Sequence, residues 1–185
     1  DHLLVSDTIW VSRKQPACPA GLRGLQGFTL TLETGQTDQH SGVTGGAARN
    51  PIAELMQVVC KCMNPRTGEI KIPHFYADVK KLSKEDKKAF RSSGFSVAKF
   101  KQDPGFESLR SNEALDVMKR IWAEPTFEIH GVVGGYTGPG IKTIVPPHAE
   151  VKCSMRLVPK QDPEQMMALV EKFVHKLNPD VEVVR

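Results

Sequence analysis

Two apolar stripes of helical period, each set among strands of alternating pattern, constrain this chain more than any other feature. The first stripe is Ile52, Leu55, Met56, Val59 and Met63, at offsets 0, 3, 4, 7 and 11. Those offsets fall on one face of an α-helix. Asn50-Pro51 stands just before it, a side-chain cap followed by a residue whose fixed φ suits the first helical position. The second stripe is Met166, Leu169, Val170, Phe173, Val174 and Leu177, and Asp162-Pro163-Glu164-Gln165 opens it in the same manner. Between and around the stripes the period changes to two. Phe28, Leu30 and Leu32 share one face of a strand, with Thr29, Thr31 and Glu33 on the other. Val151, Cys153, Met155 and Leu157 alternate with Lys152, Ser154 and Arg156. Segments 127–132, 141–146 and 181–184 also read as extended, as does a short strand over 3–11 at the start.

Setting aside the start and the middle, the order is strand, helix, strand, strand, helix, strand. That is the split βαβ pattern, and it predicts an α+β fold: a ferredoxin-like four-stranded antiparallel sheet with two helices on one face. The opposite face and an edge strand would stay open to a partner. The rhythm breaks from 64 to about 124, a stretch rich in Lys, Gly, Pro and Ser. It holds a charged helix near Ser83–Phe90 and a second from Asn112 to Trp122, with Leu115, Met118 and Trp122 as its stripe. We read it as a helical insertion. Residues 12–19 are polar and contain proline, which places a boundary there. Residues 1–18 are then an exit strand and linker from another domain, and 19–185 form the domain proper.

The formal net charge is +4, so nucleic acid has to be considered. Acids interleave the basic residues, as in Lys84-Glu85-Asp86-Lys87, and that pattern is a solvated helix face. A ferredoxin-like RNA binder stacks bases on strand aromatics. The outward positions here are Thr29, Thr31, Ser154 and Arg156, so no nucleic-acid partner is expected. No apolar run approaches the ~20 residues needed to span a bilayer, and no membrane partner is expected. The first residues, Asp1 to Asp7, lack a basic region followed by an apolar one. They do not read as a signal peptide, and they begin mid-strand, as an excised domain would. The four cysteines, Cys18, Cys60, Cys62 and Cys153, lack disulfide-framework or zinc-ribbon spacing. A reducing, cytoplasmic setting is the simplest reading.

On the residues alone, the chemistry-bearing positions stay open. His40 sits in a Gly-rich loop, His40-Ser41-Gly42-Val43-Thr44-Gly45-Gly46, and reads as a loop histidine or a site residue. Gly45-Gly46 reads as an anion-binding nest or as a turn needing positive φ. Arg156 is a solvated charge or part of a functional polar face, and Thr143 is a β-branched strand residue. Cys60 and Cys62 lie two apart on a helix, so their side chains diverge by ~200° and cannot chelate one ion.

Three segments carry a resemblance. Asp38-Gln39-His40-Ser41-Gly42-Val43-Thr44-Gly45-Gly46 resembles the D-x-H-S-G-x-x-G-G loop of carnosinases and cytosolic nonspecific dipeptidases. Gly138-Pro139-Gly140-Ile141-Lys142-Thr143-Ile144-Val145-Pro146 is similar to their G-x-G-x-K-T-V-I-P segment. Cys153-Ser154-Met155-Arg156-Leu157-Val158-Pro159 is similar to their F-S-I-R-x-V-P strand. The matches run nearly the whole chain in order. The resemblance implies the lid and dimerisation domain of a zinc dipeptidase. It implies a homodimer, a small dipeptide-like substrate, and two zinc ions held by a catalytic domain that this segment lacks. The H-x-D metal motif and the paired glutamates of that domain are absent here, so this chain alone is expected to bind no zinc and hydrolyse nothing. Carried over, His40 would stabilise the oxyanion in the partner subunit's active site. Thr143 would contact substrate from the same lid, and Arg156 would hold the substrate's terminal carboxylate. The chemistry suits the residues: an imidazole N–H is a donor for an oxyanion, worth ~3–4 kcal/mol, and a guanidinium fork matches a carboxylate. The alternative is a free-standing ferredoxin-like ligand-binding or regulatory module, pairing through its sheet and needing no trans-acting histidine.

Overall fold

Alternation over Gly24–Glu33 builds a central strand, β1, burying Phe28, Leu30 and Leu32 and leaving Thr29 and Thr31 half-covered. A computed structural model describes residues 2, 3, 19, 21–102 and 105–185. The strand read over 3–11 and the linker read over 12–19 lie outside the described residues, apart from Leu3 and Pro19. After β1 come β2 (Gln39–His40), α1 (Ser41–Thr44), α2 (Pro51–Cys62), α3 (Lys84–Arg91), α4 (Val97–Gln102) and α5 (Ala114–Met118). Then follow β3 (Thr126–Gly134), β4 (Ile144–Val145), β5 (His148–Leu157), α6 (Pro163–Leu177) and β6 (Glu182–Val184). The chain divides into two compact units. One is Gly24–Lys80 with Pro125–Arg185; the other is Lys81–Glu124 with Asp1–Arg23.

In the first unit the main sheet runs β3-β5-β1-β6, every pair antiparallel. The path from β1 through α2 to β3 skips over β5, and the path from β5 through α6 to β6 skips over β1. This is the α+β, ferredoxin-like arrangement that the stripes predict. Both helices begin as their sequences dictate: Asn50 Oδ1 accepts from the Ile52 and Ala53 N–H groups, and Asp162 accepts from the Gln165 N–H. Arg49 ties the start of α2 to the α6–β6 turn by pairing with Glu54 and Asp180. The Arg49 guanidinium, with the Asn178 amide, holds the Glu54 carboxyl below its ordinary range. The core lies between sheet and helices, with Leu30, Leu55, Met155, Met167, Val170 and Val174 fully enclosed.

Two details differ from the sequence pattern. On α2 the buried residues are Pro51, Leu55, Val58, Val59 and Cys62, while Met56 is 50% exposed. The reason lies in residues 64–80, which the composition assigned to the insertion. This segment doubles back on the end of α2, where Lys71 N–H donates to the Cys62 carbonyl and Met63 bridges Ile70. Ile70, Ile72 and Phe75 enter the same core. The Gln161 side chain, also buried, donates to the Phe75 carbonyl and accepts from Val158 N–H. The apolar face of α2 is therefore wider than, and rotated from, the stripe. On α6 the buried set is likewise Met166, Met167, Val170 and Val174, with Leu177 exposed.

Over Lys81–Glu124 the described residues of the second unit form helices and turns. Ser83 and Asp86 form a reciprocal capping box at the start of α3. The helix expected over 112–122 is α5 running into a π-helical turn over Lys119–Ala123. Arg23 donates to the freed carbonyls of Arg120 and Glu124. Phe90 and Phe95 meet Trp122 edge-on at ring-centroid distances of 5.3 and 5.7 Å, a geometry favoured by the aromatic quadrupole.

The thiols follow the helix geometry. Cys60 is exposed, whereas Cys62 and Cys153 are buried. Burial pushes both buried thiols up to about 12, with Cys153 adding to the effect at Cys62. An alkylating reagent at pH 8 should therefore modify Cys60 promptly and leave Cys62 and Cys153 untouched until denaturant is added, as peptide mapping would show. The same shifts set a sign. Buried thiols favour the fold fully below their ordinary value near 9, and that contribution is lost as pH climbs toward 12. Among the described residues no helix is long and apolar enough to cross a membrane.

Candidate functional site

The Gly-rich loop and the segment before β5 meet in a second, two-stranded sheet. Gln39 pairs with Val145 and His40 with Ile144. Ser41 N–H donates to the Thr143 carbonyl at 2.8 Å, which extends the pairing by one bond. This brings His40 onto Thr143 across 103 positions of sequence. His40 Nδ1 lies 3.1 Å from the Thr143 carbonyl oxygen and 3.2 Å from its hydroxyl oxygen. Both residues are exposed, and with Asp38, Ile141 and Lys142 they line an open groove.

The glycines serve this arrangement sterically. A Cβ on Gly42 would stand 3.1 Å from Nε2 and 3.2 Å from Cε1 of His40, so glycine leaves the imidazole its place above the first turn of α1. A Cβ on Gly45 would stand 2.3 Å from the Ser41 carbonyl oxygen, which accepts the Gly45 N–H at 2.9 Å. Gly46 has φ +83°, a left-handed value that disfavours side chains. The glycine pair is thus accounted for by close approach and by a turn. In the facing loop Tyr136 folds over Gly138 and donates to the Pro139 carbonyl. Lys142 Nζ sits 4.6 Å from the centre of the Tyr136 ring, a cation–π contact that braces the segment presenting Thr143.

Arg156 is elsewhere. It stands exposed on the open face of the main sheet, with Leu25 and Thr126 as its cross-strand neighbours. Two positions along, Ser154 is buried, although its place in the alternation predicts exposure. His130 on β3 covers it, with Nε2 2.7 Å from the Ser154 hydroxyl. No spacing in the sequence signals that pair, because its members meet only where β3 is irregular: Ser154 stands opposite Glu128, and His130 falls at the register shift between Ile129 and Gly131. Among the described residues no three His, Cys, Asp or Glu side chains gather to hold a metal ion. The zinc ions that the resemblance implies do not fit these residues.

The geometry is thus a ferredoxin-like sheet with an open face, an open edge and a glycine-braced histidine loop. Residues 20–182 match the family model for the peptidase dimerisation domain of M20 enzymes. The chain belongs to that family. As an M20 dimerisation domain it is 30% identical over 177 residues to the Cys-Gly metallodipeptidase dug1 of Schizosaccharomyces pombe, covering 96% of this chain and 37% of that protein. It superposes on the human carnosine dipeptidase 1 structure with a TM-score of 0.87 at 25% identity, covering 97% of this chain and 38% of that one. It superposes on an M20 family metallo-carboxypeptidase of Sulfolobus solfataricus with a TM-score of 0.83 at 33% identity, covering 89% and 42%. The domain therefore spans 37–42% of these relatives, and the carnosinase-type resemblance read from the three motifs is the family found.

Proposed function

We propose that this M20 domain serves a cytoplasmic dipeptidase as its lid and dimer contact. In this reading it supplies His40 to the partner subunit's active site as an oxyanion donor. Thr143 lies beside it as a substrate contact, and Arg156 clamps the substrate's terminal carboxylate. The substrate class is dipeptides or related N-acyl amino acids. Two zinc ions belong to the catalytic domain outside this segment, and this chain alone hydrolyses nothing. The observation that carries the reading is the division of the site residues. His40 and Thr143 share one glycine-braced groove, while Arg156 lies on a different sheet. A site assembled from two subunits needs that division.

The edge strand β3 is the surface for pairing. Ile129, Val132 and Val133 are each 43–50% exposed there, and a paired copy would cover them while satisfying the open backbone edge. At the other edge, β6 has three residues, and Arg185 beside it is engaged by Glu164 and Glu171. Sedimentation equilibrium tests the contact. The wild-type chain should associate to a dimer and Val132→Lys should stay monomeric at the same concentrations. A dimer unaffected by Val132→Lys would move the interface off β3. A wild-type monomer across the whole range would remove self-pairing from this domain's role.

A further inference from the structure

One nitrogen of His40 faces two groups of the same residue, a carbonyl that can only accept and a hydroxyl that can also donate. The Thr143 carbonyl, 3.1 Å from Nδ1, can only accept. Bonding to it puts the proton of a neutral ring on Nδ1 and leaves Nε2 a bare acceptor, which repels an oxyanion. The Thr143 hydroxyl, 3.2 Å from the same nitrogen, can donate. Nδ1 then accepts, and the proton sits on Nε2. The carbonyl already accepts the Ser41 N–H at 2.8 Å. Among the described residues the hydroxyl has no other acceptor within hydrogen-bond reach. On the far side of the ring, Nε2 lies beside Gly42, where a Cβ would stand 3.1 Å from it.

We infer that Thr143 is a positioning residue that sets the tautomer of His40: its hydroxyl donates to Nδ1 and so keeps the neutral imidazole protonated at Nε2, the nitrogen turned away from the sheet. The inference rests on the proposed oxyanion role of His40 and deepens it. It gives a reason for threonine at 143 that a substrate contact alone does not give. Valine fills the same space without the hydroxyl and leaves the competing carbonyl in place. Serine keeps the hydroxyl.

The test is long-range ¹H–¹⁵N correlation of the histidine rings of this chain, at a pH where His40 is neutral, with His40→Ala used to assign its signals. Wild type and Thr143→Ser should show a protonated, pyrrole-type Nε2 and a pyridine-type Nδ1. Thr143→Val should reverse the two, with the backbone amide spectrum otherwise preserved. A wild-type ring protonated at Nδ1, or a Thr143→Val ring still protonated at Nε2, would overturn the inference. In the full-length enzyme Thr143→Val should lower kcat by up to ~10²-fold, and Thr143→Ser should restore it. The proposed catalytic role fails separately: if His40→Ala leaves kcat unchanged, that role is lost whatever the ring shows. If His40→Ala is crippling but the ring is protonated at Nδ1, only the assignment to Thr143 is lost.

Discussion

His40→Ala in the full-length enzyme should lower kcat by ~10²–10³-fold while leaving KM and the dimer nearly unchanged. The magnitude is that of removing one oxyanion donor. A donor that engages only the developing charge alters kcat rather than ground-state binding. The fold has little reason to suffer, since His40 is exposed and its backbone pairing with Ile144 does not depend on the ring. The proposed trans role has a sharper signature. His40→Ala subunits retain an intact catalytic domain, and subunits inactivated within the catalytic domain retain His40. Mixed at equal amounts with free exchange, half of the dimers are hybrids, each with one complete site, so about a quarter of wild-type activity should return from two inactive preparations. A cis-acting histidine predicts no recovery. A kcat within twofold of wild type would remove His40 from the chemistry altogether.

How much of this site was legible in the sequence differs from residue to residue. The motif around His40 made it a candidate through the resemblance, yet on its own chemistry a histidine among glycines reads as a loop residue or a site residue. What the sequence could not express is the β2–β4 pairing, two residues long on each strand, with partners 104 and 106 positions apart. Such short pairing leaves no periodic trace. Gly42 is explained only once the ring is seen above it. Arg156 was readable as outward-facing because its strand alternates cleanly. Ser154 obeyed the same alternation and is nevertheless buried, because His130 arrives from a neighbouring strand. Alternation tells which side of a sheet a residue faces, not what lies across from it.

The sheet was legible in outline for a related reason. Four strands and two helices announced themselves by period, and the connection rules left few ways to arrange them. The limits of the insertion were hidden. Residues 64–80 contribute Ile70, Ile72 and Phe75 to the core from a background of Lys, Pro and Gly. Three anchors in an irregular segment have no period to detect. Their return beside α2 also decides which side of that helix is inside, so the stripe named the helix correctly and its buried face only in part.

That correction carries the second large effect. Leu55→Ala should destabilise the chain by ~2–5 kcal/mol, and Met56→Ala should stay within ~0.5 kcal/mol of wild type. Both residues belong to the same sequence stripe, so the pattern alone assigns them similar costs. The structure separates them: Leu55 is fully enclosed, and Met56 is half exposed. Truncating Leu55 leaves a cavity between α2, β1 and β5, where the packed neighbours can close in only partly. Truncating Met56 gives solvent a few methylenes that it already reaches, and alanine's higher helix propensity offsets part of the loss. Urea unfolding measures both, at concentrations below self-association so that no partner covers Met56. Equal losses for the two variants would mean that α2 sits rotated toward the bare stripe, and residues 64–80 would then not be packed where the core places them.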